Sequence, residues 1–518
     1  MPSVRADICL ISPPNRAQSR RPPLALMMLA SYLEAKGIQA DIIDIKTNSF
    51  TPVTEQEEKK IISEIVKELR RKKPLIIGLP AFCTEVNEVT QLAALFKKKF
   101  KDATIVVGGV QPTLYPDTFL YSDSPFDVVV IGEGEQTLFE LISRLKNKQN
   151  IDDITGTAYF HEGKIVVNQP RQLIKDLDTN PFPAYDKVDM EYYLKPSIYG
   201  IRWLLFSCFY IFTSRGCPAL CRFCVNKNLW KSTGNQKIVR FRSIQNVVDE
   251  IEYLVKNYHI DAIYVYDDSF VINSQRVKDF CVELKNRKLN LVWGCEVRVD
   301  KITDEIVKTM KDAGCIQIDF GVESGSPKCL ARVQKNITIE QIENAFAICR
   351  KYDMRTFANF LTNFPDETEE DVQLTLDLAK RIKATEYSFA IMTPFPGTDI
   401  FHELNLKLEP KDYDLFKDAI YSEQDPRFRM AKHNLDLRNV VTEANVKFNS
   451  PLQFASPVVM HAWSKKWLSS KRKLQYLLAL KDFGVFALTH VIPRILAKNL
   501  SPYQKKKKPL VSKVMLQK

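Results

Sequence analysis

Short apolar runs alternate with helix-patterned stretches twice along this chain, and that alternation restricts it to stacked strand–helix units. In the first series the runs are Asp7 to Ile11, Ala40 to Ile45, Leu75 to Leu79, Thr104 to Val107 and Asp127 to Ile131. Between them lie Leu24 to Ala35, Glu55 to Arg70, Val86 to Lys99 and Glu135 to Leu145, whose apolar residues recur at helical spacing. Strands joined by single helices form a parallel sheet covered on both faces. This predicts an α/β chain opening with a doubly wound, Rossmann-like domain over residues 1–150. The second series has strands at Ile211 to Ser214, Ala262 to Tyr266, Leu291 to Cys295, Gln317 to Gly321, Thr356 to Leu361 and Tyr387 to Met392. Helices fit between them at Ile244 to Asn257, Ser274 to Arg287, Thr303 to Ala313, Thr338 to Lys351 and Thr368 to Ile382. Six repeats predict a partial (β/α)6 TIM barrel over 206–404. Residues 151–205 read as a hairpin about His161-Glu162-Gly163-Lys164 and a stiff linker at Asn180-Pro181-Phe182-Pro183; 405–518 read as a helical C-terminal region with a basic tail.

A chain of 518 residues can bury more than one core, because single cores stop growing near roughly 250 to 300 residues. Met1 to Ile11 shows no cationic stretch leading into a long apolar run, and no run reaches the roughly 20 apolar residues of a membrane span, so a cytoplasmic location is expected. The 11 cysteines then sit in a reducing compartment, where metal ligation or burial is favoured over disulfides. Only Cys217, Cys221 and Cys224 cluster; Cys281, Cys295, Cys315, Cys329 and Cys349 read as small buried residues. The net charge of +12 is local: from Ala462 to Lys518 there are 14 Lys and Arg against Asp482 alone, so the remainder carries about −1. With few aromatic residues interleaved among those charges, nucleic acid is not the expected partner.

Thr213-Ser-Arg-Gly-Cys217-Pro-Ala-Leu-Cys221-Arg-Phe-Cys224 follows the first barrel strand and sets three thiolates on one loop. Three cysteines leave one iron of a four-iron cluster open, whereas four thiolates fill every site. This phrase resembles the radical SAM superfamily, and the resemblance extends over Ile211 to Leu404. It implies a 4Fe-4S cluster on Cys217, Cys221 and Cys224, with S-adenosylmethionine (SAM) chelated to the open iron. It also implies SAM contacts at Phe223, at Tyr266-Asp267-Asp268 after the second strand for the amino group, and at Glu323 after the fourth for the ribose. Arg298 is assigned to the SAM carboxylate, with a surface salt bridge as the alternative. Phe364-Pro-Asp-Glu-Thr368 and Pro394-Phe-Pro-Gly-Thr398 fit the same family, while Asn363 stands where glycine is more usual. A zinc site is the competing reading of the cysteines and needs a fourth ligand such as Cys208.

In doubly wound sheets ligands bind beyond the carboxyl ends of the strands. Here those ends carry Pro13-Pro14, Ala81 to Thr84, Gly108-Gly109 and Gly132-Glu133-Gly134-Glu135. Their order resembles the cobalamin-binding domain of the radical SAM group that includes hopanoid methylases and the anaerobic magnesium-protoporphyrin monomethyl ester cyclase. The resemblance implies bound cobalamin, with contacts at Pro13, Pro14, Thr84, Gly108, Gly109, Gln111, Thr113, Gly132, Glu133 and Gly134. No Asp-x-His-x-x-Gly motif is present, and Gln111 occupies a position often taken by histidine in that group, so no histidine is expected on cobalt from below. Methylthiotransferases, which hold a second cluster on three further cysteines, fit poorly because only Cys9 and Cys83 precede the barrel.

The resemblance implies an enzyme that cleaves SAM to a 5′-deoxyadenosyl radical and methylates an unactivated carbon of a small molecule or lipid. Two readings stay open beside it: a radical cyclase or rearrangement enzyme, and a non-catalytic cluster and cobalamin sensor. An external electron donor such as flavodoxin or ferredoxin is the implied partner. The tail, with apolar clusters between Leu474 and Leu500 and lysines at Lys505 to Lys508, reads either as a helix pair lying at an anionic membrane or as a solvated bundle face.

Overall fold

The computed structural model describes residues 5–13, 21–44, 55–202, 204–234, 239–417, 425–449 and 457–486; Pro14 and Lys505 to Lys508 lie outside them. Two compact units are interleaved in sequence. The first comprises Met1–Met190, Arg215–Arg242 and Thr393–Ala419, the second Glu191–Ser214, Ser243–Met392 and Ile420–Lys518.

The first unit is built on a seven-stranded sheet. Its strands are β1 (Ile8–Ser12), β2 (Ala40–Asp44), β3 (Ile76–Pro80), β4 (Thr104–Gly108), β5 (Val128–Val130), β6 (Thr157–His161) and β7 (Lys164–Val167), in the order β2-β1-β3-β4-β5-β6-β7. Strands β1 to β5 are parallel. Residues from both faces of β1 and β4 are buried, which is why these segments read as continuous apolar runs. Ile8, Leu10 and Val128 pack with Leu33 and Leu141 of the covering helices Leu24–Ala35 and Gly134–Lys146. The hairpin turns through Glu162 (φ 46°) and Gly163 (φ 78°), two left-handed residues that match strand twist. Although its sequence lies beyond residue 150, it pairs antiparallel along β5 and continues the first sheet.

The second unit carries six parallel strands in chain order: β8 (Cys208–Ile211), β9 (Ala262–Val265), β10 (Val292–Val297), β11 (Cys315–Glu323), β12 (Arg355–Thr362) and β13 (Glu386–Ile391). No pairing joins β8 to β13 among the described residues, so the barrel is open. Side-chain caps start the helices that cover it. Ser243, Asn273, Thr303, Thr338 and Thr368 each accept a bond from a backbone N–H in the first turn of the helix they precede. The first barrel strand ends earlier than the apolar run suggests. The N–H groups of Thr213 and Ser214 donate to the Asp267 carboxylate (2.6 and 3.2 Å), which draws them out of the strand ladder.

Inside the barrel, charges pair at the level of Asp319. Arg202 lies 3.0 Å from Asp319, the Tyr264 hydroxyl donates to Asp319 (2.8 Å), and Arg355 binds both Gln317 (2.7 Å) and Glu386 (2.8 Å). Burial pushes the Glu386 carboxyl up to about 7 and draws the Arg355 guanidinium down. Both partners are thus penalised by desolvation, as buried ion pairs are.

Candidate active site

The cysteine loop belongs to the first unit, as do both segments that brace it. Arg215, two residues before Cys217, forks onto the segment after β5: one nitrogen binds Glu133 (2.5 Å) and another Glu135 (2.6 Å). Arg240, at the far end of the loop, also grips Glu133 (2.8 and 2.9 Å) and donates to the Ile174 carbonyl (2.7 Å). Burial works to raise the Glu133 carboxyl, but Arg240 and Arg215 outweigh it and hold the group below the usual carboxylate range. The Glu133 oxygens accept from two arginines and from the Ile174 N–H (3.0 Å).

A second brace comes from the Pro394 to Thr398 phrase and the short helix after it. Asn228 donates to the Gly397 carbonyl (2.8 Å) and to Asp399 (2.9 Å), Lys227 pairs with Asp399, and the Ile400 N–H donates to the Arg222 carbonyl (3.2 Å). Arg222, between Cys221 and Phe223, binds Glu403 (2.9 Å). The loop is thus fastened at Arg215, Arg222, Lys227, Asn228 and Arg240, while Cys217, Cys224 and Phe223 stay partly exposed and Cys221 is buried.

Elsewhere burial opposes thiolate formation. It pushes Cys9, Cys83, Cys281 and Cys329 up to about 12 and shifts Cys208, buried inside β8, upward. Among the described residues no three His, Cys, Asp or Glu side chains stand in metal-holding geometry, so the fit to a cluster rests on donor chemistry. Three cysteines on one braced loop, two of them partly exposed, suit a cluster with one iron left for substrate.

At the carboxyl edge of the first sheet the expected ligand-binding residues come together. Pro13 follows β1, Thr84 lies in the turn Cys83–Glu85 after β3, Gly108 and Gly109 end β4, and Gly132 and Gly134 follow β5. Gly109 (φ 106°) and Gly132 (φ 78°) are left-handed, and a Cβ on Gly109 would stand 3.1 Å from the Ala81 carbonyl, so this edge needs glycine. Thr113 accepts a bond from the Gly132 N–H (3.0 Å) and fixes one strand end to the next. Gln111 is buried, its amide donating to Thr118 (3.4 Å) and Tyr413 (3.3 Å). A bare glycine edge of this kind fits a bulky corrin.

In the second unit the residues expected at SAM lie beyond the barrel strands. Glu323 ends β11 in the left-handed region (φ 67°) and pairs with Lys335 (2.7 Å). Gly321 makes room for that pair, since a Cβ there would sit 2.4 Å from the Glu323 carboxylate. Arg298 donates to Asp300 (2.9 Å) and to the Lys335 carbonyl (2.9 Å), so it clamps the segment carrying the partner of Glu323. Tyr266 stands within ring contact of Tyr210 and Phe212, and Asp268 is exposed.

Asp267 has partners that the motif does not show. It is buried, and it accepts bonds from the N–H and hydroxyl groups of both Thr213 and Ser214. Arg276 braces the same turn through the Thr213 hydroxyl and carbonyl (3.1 and 3.0 Å). Asp267 therefore anchors the chain where it leaves the barrel. Asn363 resolves the missing glycine: it adopts φ 74°, its amide nitrogen donates to the Met392 and Phe428 carbonyls, and its oxygen accepts from the Met430 and Ala431 N–H groups. Lys335, Arg240 and Arg276 carry no local sequence signal, because their partners lie in other elements.

A glycine-edged doubly wound sheet, an open six-stranded barrel and a braced three-cysteine loop define an enzyme that combines a cluster with a second bulky cofactor. A family model described as the radical SAM superfamily matches residues 211–379, and one described as a B12 binding domain matches 15–142. The chain is 31% identical over 401 residues to an uncharacterized methyltransferase of Pyrococcus horikoshii, covering 76% of this chain and 82% of that protein. It is 29% identical over 405 residues to the anaerobic magnesium-protoporphyrin IX monomethyl ester cyclase of Rubrivivax gelatinosus, covering 76% and 68%. Its fold matches the radical SAM methyltransferase TsrM of Kitasatospora setae, solved with cobalamin and a 4Fe-4S cluster, with a TM-score of 0.65, 19% identity and coverage of 86% and 92%. The chain belongs to the radical SAM superfamily and carries its B12-binding domain at the N-terminal side. Its cofactors are a 4Fe-4S cluster, SAM and cobalamin.

Proposed function

We propose that the enzyme transfers a methyl group to an unactivated carbon of a small molecule, with Cys217, Cys221 and Cys224 as the cluster ligands. The observation that carries this reading is the fork of Arg215 onto Glu133 and Glu135, which fastens the cluster loop to the carboxyl edge of the B12-binding sheet within one unit. When bound, the cluster supplies an electron to SAM for radical formation, and cobalamin supplies the methyl group. The chain's own residues hold and orient. Glu323, set by Lys335, receives the adenosyl ribose; Tyr266 and Asp268 face the methionyl amine; Phe223 packs from the cluster loop; Arg298 acts by fixing the Lys335 segment. Gly108, Gly109, Gly132, Gly134, Thr84 and Pro13 would form the cobalamin edge, with Thr113 fixing Gly132 and Gln111 tied to Thr118 and Tyr413. A small flavodoxin or ferredoxin is the reductant, and the working location is cytoplasmic.

A second reading, radical ring closure, is favoured by the likeness to the Rubrivivax cyclase. Anaerobic turnover with methyl-deuterated SAM on candidate substrates separates the two. Methyl transfer gives 5′-deoxyadenosine and a product carrying the label, whereas ring closure gives 5′-deoxyadenosine and an unlabelled product.

A further inference from the structure

The helices Pro457–Ser469 and Lys473–Phe486 of the second unit form a hairpin that turns several leucines to solvent. Its inner side is polar. Lys466 donates to the side chain of Asn290 (2.7 Å), Ser470 to Asp261 (2.8 Å), the Tyr476 hydroxyl to Asp261 (3.0 Å), and Arg472 binds Glu191 (2.7 Å) and the Tyr258 carbonyl (3.1 Å). Lys466, Ser470, Arg472 and Tyr476 are buried. Its outer side is apolar: Leu468 and Leu474 are 66% exposed, Leu477 53% and Leu478 54%. Leu474, Leu477 and Leu478 share one helix face at spacings of three and four. Leucines turned outward on a hairpin pinned by five side-chain bonds mark a surface built to be covered.

The fringe of the patch says what covers it. Lys465, Lys471, Lys473 and Lys481 are exposed around the leucines, and Asp482 is the one acid in either helix. A second copy of the chain would bring this lysine fringe against its own image. An anionic sheet of lipid headgroups complements the lysines and receives the leucines. No described helix is long and apolar enough to cross a membrane, which suits a hairpin lying on the surface. We infer that this hairpin docks the enzyme on an anionic bilayer through Leu468, Leu474, Leu477 and Leu478, with the four lysines as its electrostatic rim.

This inference does not depend on methyl transfer. It is tested by flotation of the cofactor-loaded protein with vesicles of phosphatidylglycerol and phosphatidylcholine, and with phosphatidylcholine alone. The wild type should bind the anionic vesicles and release them as salt rises, because exposed charges are screened beyond roughly 8 Å at physiological ionic strength. Replacing Leu474, Leu477 and Leu478 by glutamine should weaken binding by about tenfold or more, with circular dichroism and iron content unchanged, since these side chains contact solvent. The second variant, K465Q/K471Q/K473Q/K481Q, should lose the preference for anionic lipid. The proposal is overturned if the wild type ignores anionic vesicles at low salt. It is also overturned if the leucine variant binds as the wild type does, which would place docking in the more distal basic tail. A drop in oligomeric mass in the leucine variant, without loss of vesicle binding, would overturn it in favour of a contact between copies.

Discussion

Arg215 is the side chain on which the cluster loop turns. It is largely buried and satisfied by two carboxylates 82 and 80 residues away in sequence, so its removal leaves Glu133 and Glu135 as buried charges that have lost a partner. Breaking such a pair costs about 3 kcal/mol or more. Arg215→Ala should therefore purify with substoichiometric iron and lose the remainder to a chelator several times faster than wild type, while Arg215→Lys, which keeps one contact, should fall between. Equal chelation rates in the three proteins would remove Arg215 from the loop's support. Glu323 gives a separate test at the same scale. Glu323→Gln removes a charged acceptor beside Lys335 and should weaken SAM binding by roughly 10- to 100-fold with iron content unchanged. The readout is the SAM titration of the reduced-cluster spectrum, and an unaltered titration would exclude Glu323 from the site.

Among the elements, β11 to β13 and the segments after them hold two features that respond to substitution in opposite ways from a naive reading. Glycine is the usual residue at position 363, yet Asn363→Gly should destabilise by about 2 kcal/mol, because four hydrogen bonds at roughly 0.5–1.5 kcal/mol each outweigh the strain relieved at φ 74°. Denaturant midpoints of the two proteins measure it. Glu386 provides the pH test. Its folded carboxyl is raised from 4.5 to about 7, so the folded state holds the proton more tightly than the unfolded state. Its contribution is complete below pH 4.5 and is lost as pH rises through about 7, a decrease on the order of 3 kcal/mol. The urea midpoint of wild type should fall between pH 5 and 8, and that of Glu386→Gln should fall less. Much at this scale was legible in the sequence. Apolar runs marked the strands of both large sheets to within a few residues, and the helix starts expected at Ile244, Ser274, Thr303, Thr338 and Thr368 fell on or one residue before the observed ones. The first barrel strand slipped, from the expected Ile211 to Ser214 to Cys208–Ile211, because a carboxylate from beyond β9 captures the Thr213 and Ser214 N–H groups. The partners of Asp267 and Glu133 were not legible for the same reason: a motif shows which side chains cluster in sequence, whereas their arginine and hydroxyl partners arrive through the fold.

At the scale of the whole molecule, the cysteine loop is counted with the B12-binding sheet, although its sequence opens the barrel series. This membership follows from two ion-paired braces, one through Glu133 and Glu135 and one through Asp399 and Glu403, and it couples the integrity of the cluster to the first unit. Cobalamin binding should accordingly survive loss of the cluster cysteines, since Gly108 and Gly109 pack against Val130 and Ala81 of the first sheet and the turn after it. The most direct measurement is anaerobic reduction of the reconstituted protein with SAM, wild type beside the C217A/C221A/C224A variant, with iron, cobalamin and 5′-deoxyadenosine quantified together. Wild type is expected to carry about four irons per chain, to bind cobalamin and to release 5′-deoxyadenosine, while the variant keeps cobalamin and loses both iron and cleavage. A variant that still cleaves SAM, or a fully iron-loaded wild type that never does, would contradict the assignment of these three cysteines to a radical SAM centre.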